Sequence, residues 1–350
     1  MKLLIITQKV DTDDPILGFF HHLIEEFAKR TDFVTVICLE KGKYKLPINV
    51  KLLSLGKEVN KSQLNYLLRF YRYIWQERNN YETIFVHMNQ EYVLLGGLFW
   101  RLWSKKILLW RNHAKGGFLA DVAVFLSNTV FCTSGNSYTA KFQKTKIMPV
   151  GIDTKLFFPN PLVKCRPRSI LALGRISSVK RLDLLINALF ELQKSGEQFT
   201  ATIVGSPISG ADSLYEKKMH RLADPLVRAG VLVFREGVPH TATPAIYQSH
   251  EIYVNLTPAG SFDKTIVEAA ACGTIVLSAN KDVMSSFHPN NRDILFFEST
   301  EPPTFSHKIR GILNMVESKK EKIRAGLVSA AGSHSLDKLI NLIVATIKYS

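Results

Sequence analysis

Residues 171–189, with the sequence LALGRISSVKRLDLLINAL, decide the fold of the second half of this chain. An apolar run ends at a glycine, two cations follow five residues apart (Arg175 and Lys180), and a helical pattern then begins. A buried strand, a glycine turn and an amphipathic helix are the repeating unit of a parallel α/β sheet. The stretch therefore predicts a strand over residues 169–173 and a helix over residues 182–194.

The same alternation of strand and helix occurs in two runs along the chain. In the first run, Asp14 is placed to cap a helix over residues 15–29, and Pro15 suits its first position. The second run continues with a long helix over residues 213–230. Short apolar runs without internal alternation predict strands that are buried on both faces. They cover residues 3–7, 34–39, 84–88, 107–110, 130–133, 169–173, 200–204, 231–234, 252–255 and 274–278.

The segment GIDTKLFFPNPLVKCRPRS, residues 151–169, separates the two runs, and its three prolines within residues 159–167 predict a linker. The fold class is then α/β, with two Rossmann-like, doubly wound domains over residues 1–160 and 168–335 that face across a cleft. A closing helix covers residues 336–350. In such sheets ligands bind at the carboxyl ends of the strands. Neither first strand is followed by a GxGxxG fingerprint, which argues against an ordinary dehydrogenase.

The composition is that of a globular protein, with 46% hydrophobic and 21% charged residues. No apolar run approaches the roughly 20 residues of a membrane-spanning helix. The first residues predict a strand rather than a signal peptide. The four cysteines lie far apart, so neither a zinc site nor a disulfide framework is indicated. We expect a cytoplasmic protein.

Residues 255–280, NLTPAGSFDKTIVEAAACGTIVLSAN, carry a second informative pattern. A polar loop leads into a short helix that Gly273 ends. The backbone N–H groups at the start of this helix suit a phosphate. Glu268 lies one turn into the helix among small apolar residues, where a carboxylate is costly without a partner. Two ribose hydroxyls would supply that partner; the alternative is that Glu268 faces solvent.

These segments resemble the family-4 retaining glycosyltransferases, which have the GT-B fold. The resemblance rests on MPVGIDTKLFFP, GRISSVKRLDLLINAL, VGSP, REGVPHTATPAIYQSHEIYVNLTP and SFDKTIVEAAACG, which occur in the family's order and spacing. It covers residues 131–278 and extends more loosely over the first domain. It implies a retaining enzyme that moves a sugar from a nucleoside-diphosphate sugar to a glycan or lipid-linked acceptor.

The resemblance assigns roles to residues of the second domain. Arg175 and Lys180 would stabilise the diphosphate leaving group, as fixed cations that make a metal or other cofactor unnecessary. Glu268 would hold the ribose, and the backbone at Gly237 and Val238 would meet the base. The phosphates and the sugar of the donor would meet a single turn, which consists of Gly260, Ser261, Phe262, Asp263, Lys264 and Thr265.

One position departs from the family's pattern. The family carries a glutamate eight residues before the one matched by Glu268, and that glutamate helps to hold the donor sugar. Gly260 stands there in this chain. Asp263 is the nearest acidic candidate to replace it, unless it only caps the following helix. Lys264 would either pair with Asp263 or add a third cation to the diphosphate site.

The first domain offers candidates for the acceptor side. His113 follows a strand, at a place where the family often has a histidine near the transferred sugar, so we expect His113 to act in catalysis. Arg111 and Asn112 share its loop, and Gly18 lies in a turn after the first strand. Lys115 also shares the loop of His113, and further candidates at strand ends are Thr7, Gln8, His87 and residues 89–91.

Positive charge is concentrated in the first domain. The net charge is +15, and residues 41–150 hold 17 Lys and Arg against 5 Asp and Glu, which indicates an anionic partner. A helix near residues 60–81 places apolar side chains on one face, which packs on the sheet or touches an anionic membrane. Those side chains are Leu64, Leu67, Leu68, Tyr71 and Trp75. With Trp100 and Trp103 nearby, we expect peripheral binding to the inner face of a membrane.

Two other functions stay open. A nucleotide-sugar epimerase of similar architecture would need an acid and a base close together, and the sequence shows no strong pair. A basic nucleic-acid-binding protein would use the charge of residues 41–150 to follow phosphates. No RNA- or DNA-binding motif accompanies that charge, so we expect no nucleic acid as a partner.

Overall fold

The computed structural model describes residues 1–14, 16–260, 262–287, 289–297 and 301–349. The chain divides into two compact units. Unit 1 consists of Met1–Gly151 and Leu336–Ser350, and unit 2 consists of Ile152–Ser335. Each unit is a parallel sheet with helices packed on it, so the prediction of two Rossmann-like α/β domains is confirmed.

The strands form one sheet in each unit, and all strand pairs are parallel. The strands of unit 1 are β1 (Lys2–Val10), β2 (Phe33–Lys41), β3 (Val50–Ser54), β4 (Thr83–His87), β5 (Lys106–Trp110), β6 (Thr129–Cys132) and β7 (Thr145–Ile147). Those of unit 2 are β8 (Arg166–Leu173), β9 (Thr200–Val204), β10 (Leu232–Arg235), β11 (His250–Asn255) and β12 (Ile275–Ser278). The sheet orders are β3-β2-β1-β4-β5-β6-β7 and β10-β9-β8-β11-β12.

Twelve α-helices lie in the part of the chain that the structure describes. They are α1 (Phe19–Ala28), α2 (Gln63–Gln76), α3 (Glu91–Leu102), α4 (Phe118–Leu126), α5 (Leu182–Lys194), α6 (Gly210–Arg228), α7 (Thr243–Gln248), α8 (Lys264–Ala271), α9 (Pro289–Leu295), α10 (Pro302–Leu313), α11 (Glu317–Gly332) and α12 (Leu336–Tyr349). The ten predicted strands all correspond to strands of the structure. The two that the sequence did not predict, β3 and β7, are short edge strands whose half-exposed residues lack a clear apolar run.

The boundary between the units differs from the predicted one. Unit 1 ends at Gly151 rather than near residue 160, and α12 belongs to unit 1, where Arg30 Nε donates to Asn341 Oδ1 at 2.8 Å. The predicted linker packs on unit 2: the Phe157 ring is buried, and Gln248 Nε2 donates to Phe158 O at 2.6 Å. Ile152 and Phe157 are buried, so the segment is anchored and is not a free connector, although Leu162 is exposed.

The first helix begins later than predicted. α1 starts at Phe19, and Asp14 Oδ1 accepts from Ile16 N at 2.9 Å and Leu17 N at 2.8 Å. Asp14 therefore stabilises a turn that precedes the helix. Gly18 lies at the junction, with its N–H donating to Asp14 O at 3.0 Å. Pro15, predicted to occupy the first position of this helix, lies outside the described residues.

The apolar face predicted for α2 packs on the core of unit 1 only in part, since Tyr71 is partly buried against that core. Phe70 and Ile74 are the buried residues of this helix, whereas Leu64, Leu68 and Trp75 are exposed. The prediction that Trp100 reaches a membrane is wrong. Its ring is fully buried, and its Nε1 donates to Tyr81 Oη at 3.2 Å.

Candidate functional site

In unit 2, the strand order brings together two loops that are far apart in sequence. β8 lies between β9 and β11, so the chain leaves β8 in one direction and returns on its other side. At such a switch point the loops that follow the two central strands diverge and leave a crevice at the carboxyl edge of the sheet. The loops after β8 and β11 are those in which the sequence placed the candidate donor residues.

The loop after β8 packs closely on the loop after β9. Gly174 N donates to Val204 O at 3.0 Å, and Ile176 N donates to Ser206 O at 3.2 Å. A Cβ atom at Gly205 would lie 2.0 Å from Gly174 O, so only glycine fits there. Gly174 has a φ of 140°, which also favours glycine. This tight turn holds the start of the loop that carries Arg175 and Lys180.

Lys180 and Asp263 form an ion pair that joins the two loops. Asp263 is the N-cap of α8, and its Oδ1 accepts from the Thr265 hydroxyl at 2.8 Å and from Thr265 N at 3.3 Å. Its Oδ2 accepts from Asn255 Nδ2 and Thr257 Oγ1, both at 2.9 Å. Asp263 is thus both a helix cap and the centre of a polar network that fixes the Lys180 ammonium beside the start of α8.

Burial and charge shift the pKa values of two neighbouring groups in opposite senses. Burial of Asp263 would raise its pKa, but the Lys180 charge and the accepted hydrogen bonds hold it well below the usual range. Asp263 is therefore a carboxylate at neutral pH. Burial lowers the pKa of Lys264 to about 8, against the opposing effect of the Glu268 and Asp153 carboxylates.

Glu268 is buried in α8 and pairs with His240, with 2.9 Å between Oε1 and His240 Nε2. The alternative that Glu268 faces solvent is therefore wrong. His240 follows Gly237 and Val238 in the loop after β10, and Gly237 N donates to Ser206 Oγ at 3.0 Å. The positions predicted for the ribose and the base thus lie on elements that contact each other, and the His240 imidazole is hydrogen-bonded to the Glu268 carboxylate.

The turn before α8 differs in detail from the predicted sugar site. Gly260 has a φ of 104°, and its N–H donates to Asp282 Oδ2 at 2.6 Å. Phe262 is buried, with its ring centroid 5.2 Å from that of His334. Ser261, predicted to meet the donor, lies outside the described residues. Asp282 is a carboxylate near Gly260 that the sequence reasoning missed, because it lies in another loop, after β12.

In unit 1, the residues predicted for the acceptor side line one cavity. Arg111, Asn112 and His113 border a space of about 540 Å³ together with Gln90, the 115–117 loop and the start of α4. Asn112 Oδ1 accepts from Ser137 Oγ at 3.0 Å, and His113 Nδ1 accepts from Lys115 N at 2.9 Å. Gly18 is not among the lining residues.

The remaining strand-end candidates of unit 1 fall into two groups. Gln8 follows the central part of β1 and accepts from Asn89 Nδ2 at 2.9 Å, so the ends of β1 and β4 meet at the switch point of this sheet. Thr7 is buried in β1. His87 is also buried, with its ring centroid 4.5 Å from that of Phe20, and it belongs to the aromatic core.

The described residues contain neither a cluster of metal ligands nor a helix that could span a membrane. No three His, Cys, Asp or Glu side chains within those ranges come together as a metal site would require. No helix in the same part of the chain has the length and apolar character needed to cross a bilayer.

Comparisons with known proteins agree with this architecture. Residues 154–326 match the family model described as "Glycosyl transferases group 1". A D-inositol 3-phosphate glycosyltransferase of Acidothermus cellulolyticus is 24% identical over 211 residues, which are 57% of this chain and 46% of that protein. A GDP-mannose-dependent alpha-(1-6)-phosphatidylinositol monomannoside mannosyltransferase of Mycolicibacterium smegmatis is 26% identical over 45% of this chain and 44% of its own length. The chain thus spans under half the length of these relatives.

Solved structures show the same fold over the whole chain. HepE of Anabaena, determined in complex with UDP and glucose, superposes with a TM-score of 0.79 at 18% identity and covers 100% of both chains. A glycosyltransferase of Rickettsia africae superposes with a TM-score of 0.75 at 14% identity, again over 100% of both chains. The fold is that of the GT-B glycosyltransferases.

Proposed function

We propose that this chain, whose residues 154–326 match the group 1 glycosyl transferases, is a retaining glycosyltransferase. It transfers a sugar from a nucleoside-diphosphate sugar to a glycan or lipid-linked acceptor. One observation carries the proposal: Lys180 pairs with Asp263, the N-cap of α8, so the Lys180 ammonium group lies beside the start of that helix. A fixed ammonium group beside a helix N-terminus is suited to a diphosphate.

The reaction needs charge stabilisation more than it needs a base. As the bond between the anomeric carbon and the diphosphate breaks, negative charge grows on the phosphate oxygen, and Arg175 and Lys180 stabilise it. The acceptor hydroxyl attacks on the face from which the diphosphate departs, and its proton passes to the departing oxygen. Glu268 accepts hydrogen bonds from the ribose hydroxyls, which partly replace its contact with His240. His113 has a catalytic role at the transferred sugar.

Nucleotide binding tests this proposal directly. We expect UDP or GDP to raise the unfolding temperature; at 100 times its dissociation constant a ligand stabilises a protein by about 2.7 kcal/mol. Arg175→Ala and Glu268→Gln should each weaken binding by about 1.5–3 kcal/mol in calorimetry, because each removes a charged hydrogen-bond partner. Lys194→Ala, on the exposed side of α5, is the control. Unchanged affinity in both site variants would place the nucleotide elsewhere.

We also propose that turnover is independent of metal ions, since Arg175, Lys180 and the N-terminus of α8 supply the positive charge that a divalent cation supplies elsewhere. EDTA should leave the rate of sugar transfer largely unchanged. A complete loss of activity that magnesium restores would contradict this part of the proposal.

Peripheral membrane binding is supported by an apolar face on α2 and α3 of unit 1. This face consists of Leu64, Leu68, Trp75, Leu98 and Leu102, which are 56–80% exposed. The two helices contact each other through Trp75 and Trp103, whose ring centroids are 5.6 Å apart, and the Arg78 guanidinium lies 4.7 Å from the Trp75 ring centroid. An apolar surface with cations beside it suits an anionic bilayer.

Co-sedimentation with vesicles tests the membrane proposal. The chain should bind phosphatidylcholine vesicles that contain phosphatidylglycerol but not vesicles of phosphatidylcholine alone, and salt should weaken binding. The double variant Leu64→Ser/Leu68→Ser should bind less, while Leu214→Ser, at a similarly exposed leucine of α6 in unit 2, should not. Equal behaviour of the two variants would refute the assignment of this face.

A further inference from the structure

Arg111 in unit 1 carries a buried cationic group with an unused hydrogen-bond donor. The residue is 8% exposed, and its Nη1 has no hydrogen-bond partner among the residues that the structure describes. The other guanidinium nitrogens are engaged, since Nε donates to Gln90 Oε1 at 2.6 Å and Nη2 donates to Lys115 O at 2.7 Å. Proteins rarely leave a buried donor of this kind unpaired, because its lost hydration is not replaced.

The surroundings of Arg111 are those of a ligand site. Arg111 lines the cavity of about 540 Å³ at the carboxyl ends of β4 and β5, and this volume lies within the range of small-molecule sites. The partner of Nη2 is a backbone carbonyl in an exposed loop that contains Gly116 and Gly117. A ligand that displaces Lys115 O would meet Nη1 and Nη2 together, which is the fork that binds phosphate and carboxylate groups.

The charges around the cavity favour an anion. α3 and α4 both begin there, so the positive ends of two helix dipoles face it, and the N–H groups of Phe118 and Leu119 precede the hydrogen-bond ladder of α4. Lys115 also lines the cavity. Two carboxylates oppose an anion there: Glu91, which lines the cavity, and Asp121 in the first turn of α4. Burial lowers the pKa of Arg111, so an anionic ligand would relieve an unfavourable environment.

We infer that this cavity binds an anionic group of the acceptor, a phosphate or a carboxylate, and that Arg111 determines this specificity. The inference rests on the proposed function, in which unit 2 binds the donor and unit 1 receives the acceptor. The anionic group belongs either to a soluble phosphorylated acceptor or to the headgroup of a lipid-linked one. Both present the same oxygen atoms to the guanidinium.

Calorimetry with inorganic phosphate tests the inference on the full chain, with UDP or GDP present in excess to occupy the phosphate site of unit 2. Arg111→Gln should weaken phosphate binding at least tenfold, and Arg111→Lys should weaken it less. Arg69→Gln is the matched control, because Arg69 is a half-buried arginine of unit 1 that donates to Leu55 O and does not line the cavity. Thermal unfolding establishes that each variant is folded.

The outcomes separate this inference from the proposed function. Phosphate affinity that is equal in wild type and in folded Arg111→Gln overturns the inference, even if nucleotides bind. If neither UDP nor GDP binds, the proposed function fails, and loss of phosphate affinity in Arg111→Gln still supports the anion site.

Vesicles distinguish the two sources of the anionic group. Binding to phosphatidylcholine vesicles that contain phosphatidic acid, weakened by Arg111→Gln, supports a lipid headgroup. Vesicle binding that Arg111→Gln leaves unchanged, alongside weakened phosphate binding, supports a soluble acceptor. The Leu64→Ser/Leu68→Ser variant should lower vesicle binding without changing the affinity for inorganic phosphate.

Discussion

Replacing Asp263 by asparagine removes one negative charge and leaves the helix cap in place, since asparagine and aspartate cap helices equally well. In the structure Asp263 accepts four hydrogen bonds and pairs with Lys180. An amide nitrogen cannot accept from the donors that converge on Oδ2, which are Asn255 Nδ2 and Thr257 Oγ1. The substitution therefore isolates the ion pair and its network from the capping role.

The loss of stability expected for Asp263→Asn follows from the burial of the ion pair between Lys180 and Asp263. The side chains of Lys180 and Asp263 are 21% and 12% exposed. Removing one partner from a buried pair costs about 3–5 kcal/mol, and because Lys180 keeps some hydration we expect a loss of about 3 kcal/mol. If Asp263 only capped α8, Asp263→Asn would change the free energy of unfolding by close to zero. The two interpretations therefore differ by far more than the error of the measurement.

Urea unfolding at neutral pH measures this difference. Asp224→Asn is the control, because Asp224 pairs with Arg228 on the surface of α6, where such pairs contribute about 0.3–0.5 kcal/mol. The folded pKa of Asp263 lies below the ordinary aspartate value of 3.8, so its contribution is complete above that pH and disappears in stronger acid. A folded Asp263→Asn protein with unchanged stability at neutral pH would refute the reasoning.

Lys264, Gly205 and Lys320 each make contacts whose effect a substitution can measure. Nucleoside-diphosphate affinity should fall as the pH rises through about 8, where Lys264 loses its proton, and calorimetry on Lys264→Met should show no such fall. Gly205→Ala should destabilise unit 2 by about 1–3 kcal/mol and weaken nucleotide binding, because its Cβ would meet a carbonyl oxygen; Gly210→Ala, with open space around it, should do neither. Lys320→Met should cost about 3–5 kcal/mol in urea unfolding, because it leaves the buried Glu251 carboxylate without its ion-pair partner and with only the hydrogen bond from Arg168 N; the double variant with Glu251→Leu should regain part of that loss.

The sequence by itself determined the class of fold and the location of the candidate loops. Apolar runs and helical periodicity are local, so they predicted the helix at residues 182–194 and the strand at residues 200–204 with the bounds that the structure shows. The same local rules placed Asp263 before a helix and Gly273 after it, where Gly273 has a φ of 77°. The edge strands β3 and β7 of unit 1 were not predicted, because their half-exposed residues carry no strong apolar pattern. The start of α1 was placed too early, because Asp14 stabilises a turn that precedes the helix.

Only the tertiary structure decided which distant residues meet. Lys180 and Asp263 are 83 residues apart, and they pair because the sheet order seats β11 beside β8 rather than beside β10. Local periodicity contains no information about strand order, which depends on how whole helices cover the sheet. The same limit applies to the contact of Glu268 with His240 and to the unpaired donor of Arg111. Both depend on segments that follow different strands and lie close together only in the folded chain.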